Sequence, residues 1–86
     1  MLPLQVRIYS KKECHLCDDA KVLLAKLAAQ YPIAIETVDI EQDSASYQLY
    51  CNEVPVIFLE GQKLFKYKID EPKFRKAIEA RLRFQS

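Results

Sequence analysis

The strongest constraint on the fold is a junction at residues 9–20, where a strand-like run passes into a helical one. Apolar and polar residues alternate over residues 4–9, a pattern that predicts a strand. Apolar residues then recur at helical spacing, which predicts a helix over residues 15–30. Cys14 and Cys17 stand between the two, separated by two residues. The chain must therefore fold so that a strand leads into a helix that begins with two cysteines.

Two cysteines at this spacing, at the start of a helix, can close a small disulfide ring. The helix N-terminus offers unpaired N–H groups and the positive end of a dipole, and both stabilise a thiolate. A free cysteine has a pKa of about 8.5, and such surroundings lower it. Lys11 and Lys12 add positive charge nearby. We predict that Cys14 is a nucleophile and Cys17 a resolving thiol; the alternative is two core or metal-binding cysteines.

The rest of the chain alternates strands and helices. The predicted elements are a strand at residues 33–39, a short helix capped by Asp43 or Ser44 and ending near Tyr50, a strand at residues 54–59, a turn at Glu60-Gly61, a strand with Leu64, Phe65 and Tyr67, and a helix opened by Asp70. We expect Tyr47 and Tyr50 to face inward and Asn52 to end its helix in the left-handed conformation. This β-α-β-α-β-β-α order predicts an α/β fold with a four-stranded mixed sheet flanked by three helices.

Size and charge narrow the functional classes. The 86 residues predict one domain over residues 1–86, and we expect a monomer. The formal net charge of +1 gives no argument for nucleic acid or a membrane surface as a partner. No apolar run approaches the roughly 20 residues that span a bilayer, and residues 1–9 lack the layout of a signal peptide. Three cysteines, an odd number, favour a reducing compartment, and we expect the cytoplasm.

Four segments carry a resemblance to a known fold: Tyr9-Ser10, Cys14-His15-Leu16-Cys17, Val38-Asp39-Ile40 and Val54-Pro55-Val56. In this element order they resemble the thioredoxin fold. Within that fold the chain is most similar to small glutaredoxin-like proteins, one family of which commonly has a Cys-His-Leu-Cys motif. The resemblance covers nearly the whole chain.

The resemblance implies a thiol–disulfide oxidoreductase that carries electrons in cell redox homeostasis. It implies a cis bond before Pro55, and a Val54 backbone that pairs with an extended substrate. The implied substrates are disulfide-containing or glutathionylated proteins, and the implied electron donor is glutathione or a thioredoxin-type reductase. No bound cofactor and no metal are expected.

The chain also departs from the typical members of both groups. Typical glutaredoxins have Cys-Pro-Tyr-Cys, whereas here the middle pair is His15-Leu16. They also carry a glycine pair and an acidic residue that help to hold glutathione, where this chain reads Tyr67-Lys68-Ile69-Asp70. Thioredoxins typically have a tryptophan just before the first cysteine and a buried aspartate where Ile8 stands; this chain has no tryptophan. The sequence leaves open which reductant is used.

Several neighbouring residues have two interpretations each. His15 either tunes the Cys14 thiolate and shuttles protons, or faces solvent. Lys11 either stabilises that thiolate or belongs to a solvated loop. Tyr9 and Tyr67 either line a substrate groove or pack against the sheet. Cys51 is either a third redox thiol or metal ligand, or a small buried residue, and we favour the latter.

Two other functions compete with exchange chemistry. One is a metal or iron–sulfur module that uses Cys14, Cys17 and either His15 or Cys51. A structural zinc site needs four Cys or His ligands, and the three cysteines and one histidine of the chain just suffice. The adjacent Cys14 and His15 project in different directions, which weighs against one shared ion. The other is an adaptor that keeps the fold without catalysis.

Overall fold

The computed structural model describes residues 2–85. The predicted domain 1–86 also includes Met1 and Ser86, which lie outside the described residues. The elements in chain order are β1 (Leu4–Ser10), α1 (His15–Ala28), β2 (Ile33–Asp39), a 3-10 turn (Ile40–Gln42), α2 (Ser44–Tyr50), β3 (Val56–Leu59), β4 (Gln62–Lys66) and α3 (Glu71–Gln85). The predicted order of strands and helices is confirmed.

The four strands form one mixed sheet in the order β2-β1-β3-β4. Strand β1 pairs parallel with β2, while β3 runs antiparallel to both β1 and β4. The turn between β3 and β4 consists of Glu60 and Gly61, whose φ angles are 51° and 82°. Two positive φ angles suit the right-handed twist of a two-residue hairpin, which explains the single glycine at this point.

Helices α1 and α3 cover one face of the sheet. The alternation in β1 sends Leu4, Val6 and Ile8 to this face, where they are buried. The same core contains apolar residues of both helices: Ala20, Leu24, Leu27, Phe74 and Ile78. The opposite face carries Tyr9, whose ring packs on Tyr50 of α2. Strand β1 therefore lies at the centre of the molecule, and its end delivers the chain to the cysteines.

Both predicted aspartate caps are present. Asp43 Oδ1 accepts a hydrogen bond from the Ala45 N–H at the start of α2, at 3.3 Å. Asp70 Oδ1 accepts one from the Lys73 N–H at the start of α3, at 3.2 Å. Each satisfies an N–H that the first helical turn leaves without a partner. Within the described residues, no helix is long and apolar enough to cross a membrane.

Three local predictions around α2 and β4 were wrong. Tyr47 is 47% exposed, because the seven-residue α2 packs through Tyr50 and leaves Tyr47 on its outer side. Asn52 is not a left-handed cap: the helix ends at Cys51 in the right-handed region, and the N–H groups of two following residues bond to the Tyr50 carbonyl. Tyr67 lies beyond the end of β4 with a φ of 69°.

The position of Phe74 predicts its contribution to stability. Its side chain is fully buried and packs edge to face on Phe65, with ring centroids 5.5 Å apart. We expect Phe74→Ala to lower the free energy of unfolding by about 3–5 kcal/mol, through lost burial and a residual cavity. Phe84→Ala is the matched control, since Phe84 is 92% exposed. Urea unfolding of both variants checks this; equal losses would contradict the packing described.

The salt bridges of Glu71 predict a pH dependence. Hydrogen bonds from Arg75, and to a lesser degree from Lys26, lower the pKa of Glu71 below its usual range. A carboxylate with a depressed folded-state pKa stabilises the fold above its unfolded pKa, and this stability is lost as pH falls through the folded value. Glu71→Gln should therefore be slightly less stable than the parent at neutral pH, with a difference that vanishes in acid.

Glu13→Gln is the control for this change, since no ion pair within residues 2–85 involves Glu13. Thermal unfolding at a series of pH values gives the comparison. A Glu71→Gln deficit that persisted unchanged into acid would show that the ion pairs are not its source.

Candidate active site

Cys14 and Cys17 meet at the N-terminus of α1, where they form a disulfide with Cα atoms 5.2 Å apart. Cys14 is the N-cap of the helix, with extended φ and ψ angles of −118° and 107°. Its Sγ atom accepts a hydrogen bond from the Cys17 N–H, at 3.2 Å. Its carbonyl accepts one from the Asp18 N–H, at 3.0 Å. A sulfur thus takes the place that a serine or aspartate oxygen usually holds at a helix start.

The two cysteines differ in their access to solvent. Cys17 is fully buried, whereas Cys14 is half-buried, and Leu16 and His15 between them are exposed. Helical geometry accounts for this, because Cys17 turns onto the inner side of α1 while Cys14 precedes the helix. A molecule that approaches this end of the helix would meet the Cys14 sulfur first.

Two hydrogen bonds fix the position of the loop before Cys14. Lys12 donates its N–H to the Glu41 carboxylate, at 3.1 Å. The Lys11 ammonium reaches the Cys51 carbonyl oxygen at the end of α2, at 3.5 Å. Glu13 then adopts a left-handed conformation, with a φ of 54°, which costs a non-glycine residue about 1–2 kcal/mol. These contacts hold the chain in the turn that presents Cys14.

A second, small hydrophobic cluster lies beneath the disulfide. Cys17, Ile40 and Val54 are buried there, and four partly buried residues pack against them: Tyr9, Cys14, Tyr50 and Cys51. The structure therefore brings together the two cysteines with two predicted substrate-binding residues, Tyr9 and Val54. Cys51 packs at the same cluster and has a free thiol.

The Val54-Pro55 segment borders this cluster. The bond joining the two residues is cis, and both are buried. The Val54 N–H donates to the Tyr50 carbonyl, at 3.1 Å. No described residue donates a main-chain hydrogen bond to the Val54 carbonyl oxygen. The resemblance pairs the Val54 backbone with an extended substrate; here its N–H is bonded within the chain, and its carbonyl accepts no main-chain hydrogen bond from the described residues.

The other predicted residues surround the disulfide more loosely. His15 is exposed, and its imidazole makes no hydrogen bond to any of residues 2–85. Lys11 is half-buried and directed to the end of α2, as described above. Nowhere among the described residues do three or more His, Cys, Asp or Glu side chains gather in a way that could hold a metal ion. This arrangement gives no support to a metal site held by one chain and does not bear on a cluster shared between two chains.

Tyr9 and Tyr67 have opposite surroundings. The Tyr9 ring packs against Tyr50 at a centroid distance of 4.6 Å and against Phe58 at 5.6 Å. Tyr67 is 46% exposed and lines an apolar cavity of about 240 Å³ with Leu16. Tyr9 therefore fits its packing interpretation, and Tyr67 its groove interpretation. No cysteine lines either this cavity or a larger one of about 340 Å³ on the Tyr9 face.

The surroundings of three residues in this region were not predicted from the sequence. Ile40 is fully buried beside Cys17, and its signal was a lone apolar residue in a polar connection. Leu16 falls at the helical spacing that predicts the core face of α1, but in the first turn of the helix it is 46% exposed. The left-handed conformation of Glu13 had no signal, since glutamate is not a residue that favours it.

Comparison with known proteins shows which family has this architecture. The family model described as glutaredoxin-like domain (DUF836) matches residues 5–79. A Dictyostelium discoideum protein, named as a glutaredoxin-like homologue of YDR286C, is 28% identical over 88 residues, which cover 95% of this chain and 82% of that protein.

Two solved structures extend the comparison. The X-ray structure of protein XcR50 from X. campestris is 33% identical, with a TM-score of 0.70, over 87% of this chain and 96% of that one. Fasciola hepatica thioredoxin, at 22% identity and a TM-score of 0.63, covers 91% of this chain and 80% of its own, and this likeness shows the thioredoxin fold. With that fold, and a family model matching most of its length, the chain belongs to the glutaredoxin-like domain family.

Proposed function

We propose that this protein is a thiol–disulfide oxidoreductase that works by dithiol exchange through Cys14 and Cys17. The observation that carries the proposal is the asymmetry of the pair at the start of α1. Cys14 is half-buried and its sulfur accepts an N–H hydrogen bond, whereas Cys17 is fully buried. Helix N-termini and N–H donors lower the pKa of a cysteine thiol, and accessible thiolates are the reactive ones.

The first step is attack by the Cys14 thiolate on a disulfide of the substrate. A bond forms between the Cys14 sulfur and one substrate sulfur, while the substrate S–S bond breaks. The other substrate sulfur leaves with the bonding electron pair and takes a proton from water. The Cys17 N–H contributes before this step, because it stabilises the negative charge on the attacking sulfur.

The second step releases the substrate. Cys17, as a thiolate, attacks the Cys14 sulfur and forms the disulfide seen in the structure, and the substrate cysteine leaves as a thiolate. The substrate gains two electrons and two protons, and the protein loses the same. The Cα separation of 5.2 Å allows this closure without movement of the helix.

An external thiol must then return the pair to the dithiol state. We propose glutathione or a thioredoxin-type reductase for this role, and disulfide-containing or glutathionylated proteins as substrates. The odd cysteine count suits a reducing compartment, and we propose the cytoplasm. Lys11 and the exposed His15 would act on the potential or the proton supply rather than bind substrate, since neither lines the same cavity as Leu16.

Substitution of each cysteine separates the two steps. In a turnover assay on a glutathionylated peptide, Cys14→Ser should reduce activity to background, a loss of at least about 100-fold, because the nucleophile is missing. Cys17→Ser should accumulate a mixed disulfide on Cys14, visible by mass spectrometry, when a protein disulfide is the substrate. The assay is run twice, with glutathione and with a thioredoxin-type reductase as electron donor.

Cys51→Ser is the matched control, since it removes the remaining cysteine and leaves the pair intact. It should retain activity within about twofold, in line with a thiol that takes no part in exchange. Circular dichroism of each variant verifies folding. A folded Cys14→Ser protein with full activity, or a parent inactive with both donors, would refute the proposal.

A further inference from the structure

A cavity lined by Leu16, a residue between the two cysteines in the chain, points to a class of substrate. We propose that it receives an apolar side chain next to the reacting cysteine of a peptide or protein disulfide, and that Leu16 and Tyr67 determine this preference. The inference rests on the proposed exchange function and adds which disulfides are used. Seven residues line the cavity: Leu16, Asp19, Ala20, Leu23, Tyr67, Lys68 and Ile69.

The cavity is connected to the chemistry through Leu16. This residue lies between the two cysteines in the chain, and its side chain forms one wall. A substrate cysteine bonded to the Cys14 sulfur brings its own chain neighbours to this wall. The occupant is therefore a residue close in sequence to the reacting cysteine, and the covalent bond of the intermediate determines where it must lie.

Tyr67 lines the cavity opposite Leu16, and its backbone conformation is unusual. Tyr67 is left-handed, with a φ of 69°, a conformation that costs a non-glycine residue about 1–3 kcal/mol. Its N–H donates to the carbonyls of both Pro55 and Glu53, at 2.9 and 3.2 Å, which anchors it to the segment that borders the disulfide. The ring gains little burial in return, because it is 46% exposed. The Lys66 ammonium lies 5.5 Å from the ring centroid, and the exposed ring also lines the cavity, where an apolar ligand would add to its burial.

The size and polarity of the cavity favour a single side chain. Its volume of about 240 Å³ is below the roughly 300–1,000 Å³ of sites that enclose a small molecule. Ala20 and Ile69, both buried, make an apolar floor. Asp19 and Lys68 stand at the rim with opposite charges, so the rim does not favour an anionic thiol such as glutathione. An apolar centre with a polar rim is typical of peptide-binding surfaces.

A main-chain contact is available for the same occupant. The unpaired Val54 carbonyl can accept an N–H from an extended segment, in the manner of strand addition. A peptide therefore has two anchors here, one hydrogen bond to Val54 and one apolar side chain in the cavity. A thiol without such a neighbour has only the first.

Three probes test this, each a mixed disulfide with thionitrobenzoate: a peptide with leucine on both sides of its cysteine, the same peptide with glycine there, and glutathione. The reduced protein attacks the probe's cysteine sulfur, the probe S–S bond breaks, and coloured thionitrobenzoate leaves with the electron pair. We expect the leucine peptide to react about tenfold faster than the other two, because partial burial of an aliphatic side chain contributes on this scale.

Matched pairs of variants identify the wall residues. Tyr67→Ala and Leu16→Ala should reduce the leucine-to-glycine rate ratio to about twofold, as apolar contact is removed. Tyr47→Ala and Leu49→Ala remove similarly exposed side chains that do not line the cavity, and should leave the ratio unchanged. The ratio is the decisive readout, because a general change in Cys14 reactivity cancels from it.

The outcomes separate this inference from the proposed function. Release of thionitrobenzoate at equal rates from all three probes would leave the exchange function standing and overturn the side-chain pocket. A leucine preference that survives both Tyr67→Ala and Leu16→Ala would overturn the assignment to this cavity. No release from any probe, while Cys14 is reduced, would refute the exchange function and the inference with it.

Discussion

The hydrogen bond from the Cys17 N–H to the Cys14 sulfur contributes both to the fold and to the proposed reactive site. It serves as the N-cap of α1, so the first turn of the helix depends on the sulfur that is also the proposed nucleophile. The helix is held in place by Leu24 and Leu27, which pack against the central strand β1. Because β1 ends immediately before the cysteine loop, the core of the protein determines where the sulfur lies.

The two cysteines differ in how deeply they are buried. Cys17 lies buried with Ile40 and Val54 in a small apolar cluster. Cys14 sits at the edge of that cluster and reaches solvent. The disulfide therefore joins a half-buried cysteine to a fully buried one, and we propose that this difference sets the order of the two exchange steps.

Much of this could be predicted from sequence, because it depends on local patterns. Alternation identified β1, helical spacing identified α1, and side-chain chemistry identified the Asp43 and Asp70 caps. The Cys14–Cys17 pair and the cluster with Val54 followed from spacing together with the family resemblance. These features involve residues that are neighbours in the chain, or a topology that one motif indicates.

Two features that could not be predicted are decided by main-chain hydrogen bonds. The Tyr67 N–H bonds to Pro55 and Glu53, which takes the residue out of β4 and into the left-handed region. The Val54 N–H bonds to Tyr50, which removes one of the two groups expected to meet a substrate. Neither bond has a sequence signal, because main-chain groups make it and side-chain identity does not specify it.

The roles proposed for Cys14 and Cys17 are tested most directly by the pH dependence of cysteine alkylation in the reduced protein. Iodoacetamide is added at a series of pH values, and mass spectrometry counts its attachment to Cys14, Cys17 and Cys51 separately. We predict that Cys14 reacts first, and that the pH midpoint of its alkylation lies below the value of about 8.5 for a free cysteine. If Cys14 instead titrates as a free cysteine, or if Cys17 reacts before it, the helix N-terminus does not activate the accessible sulfur and the proposed division of roles is wrong.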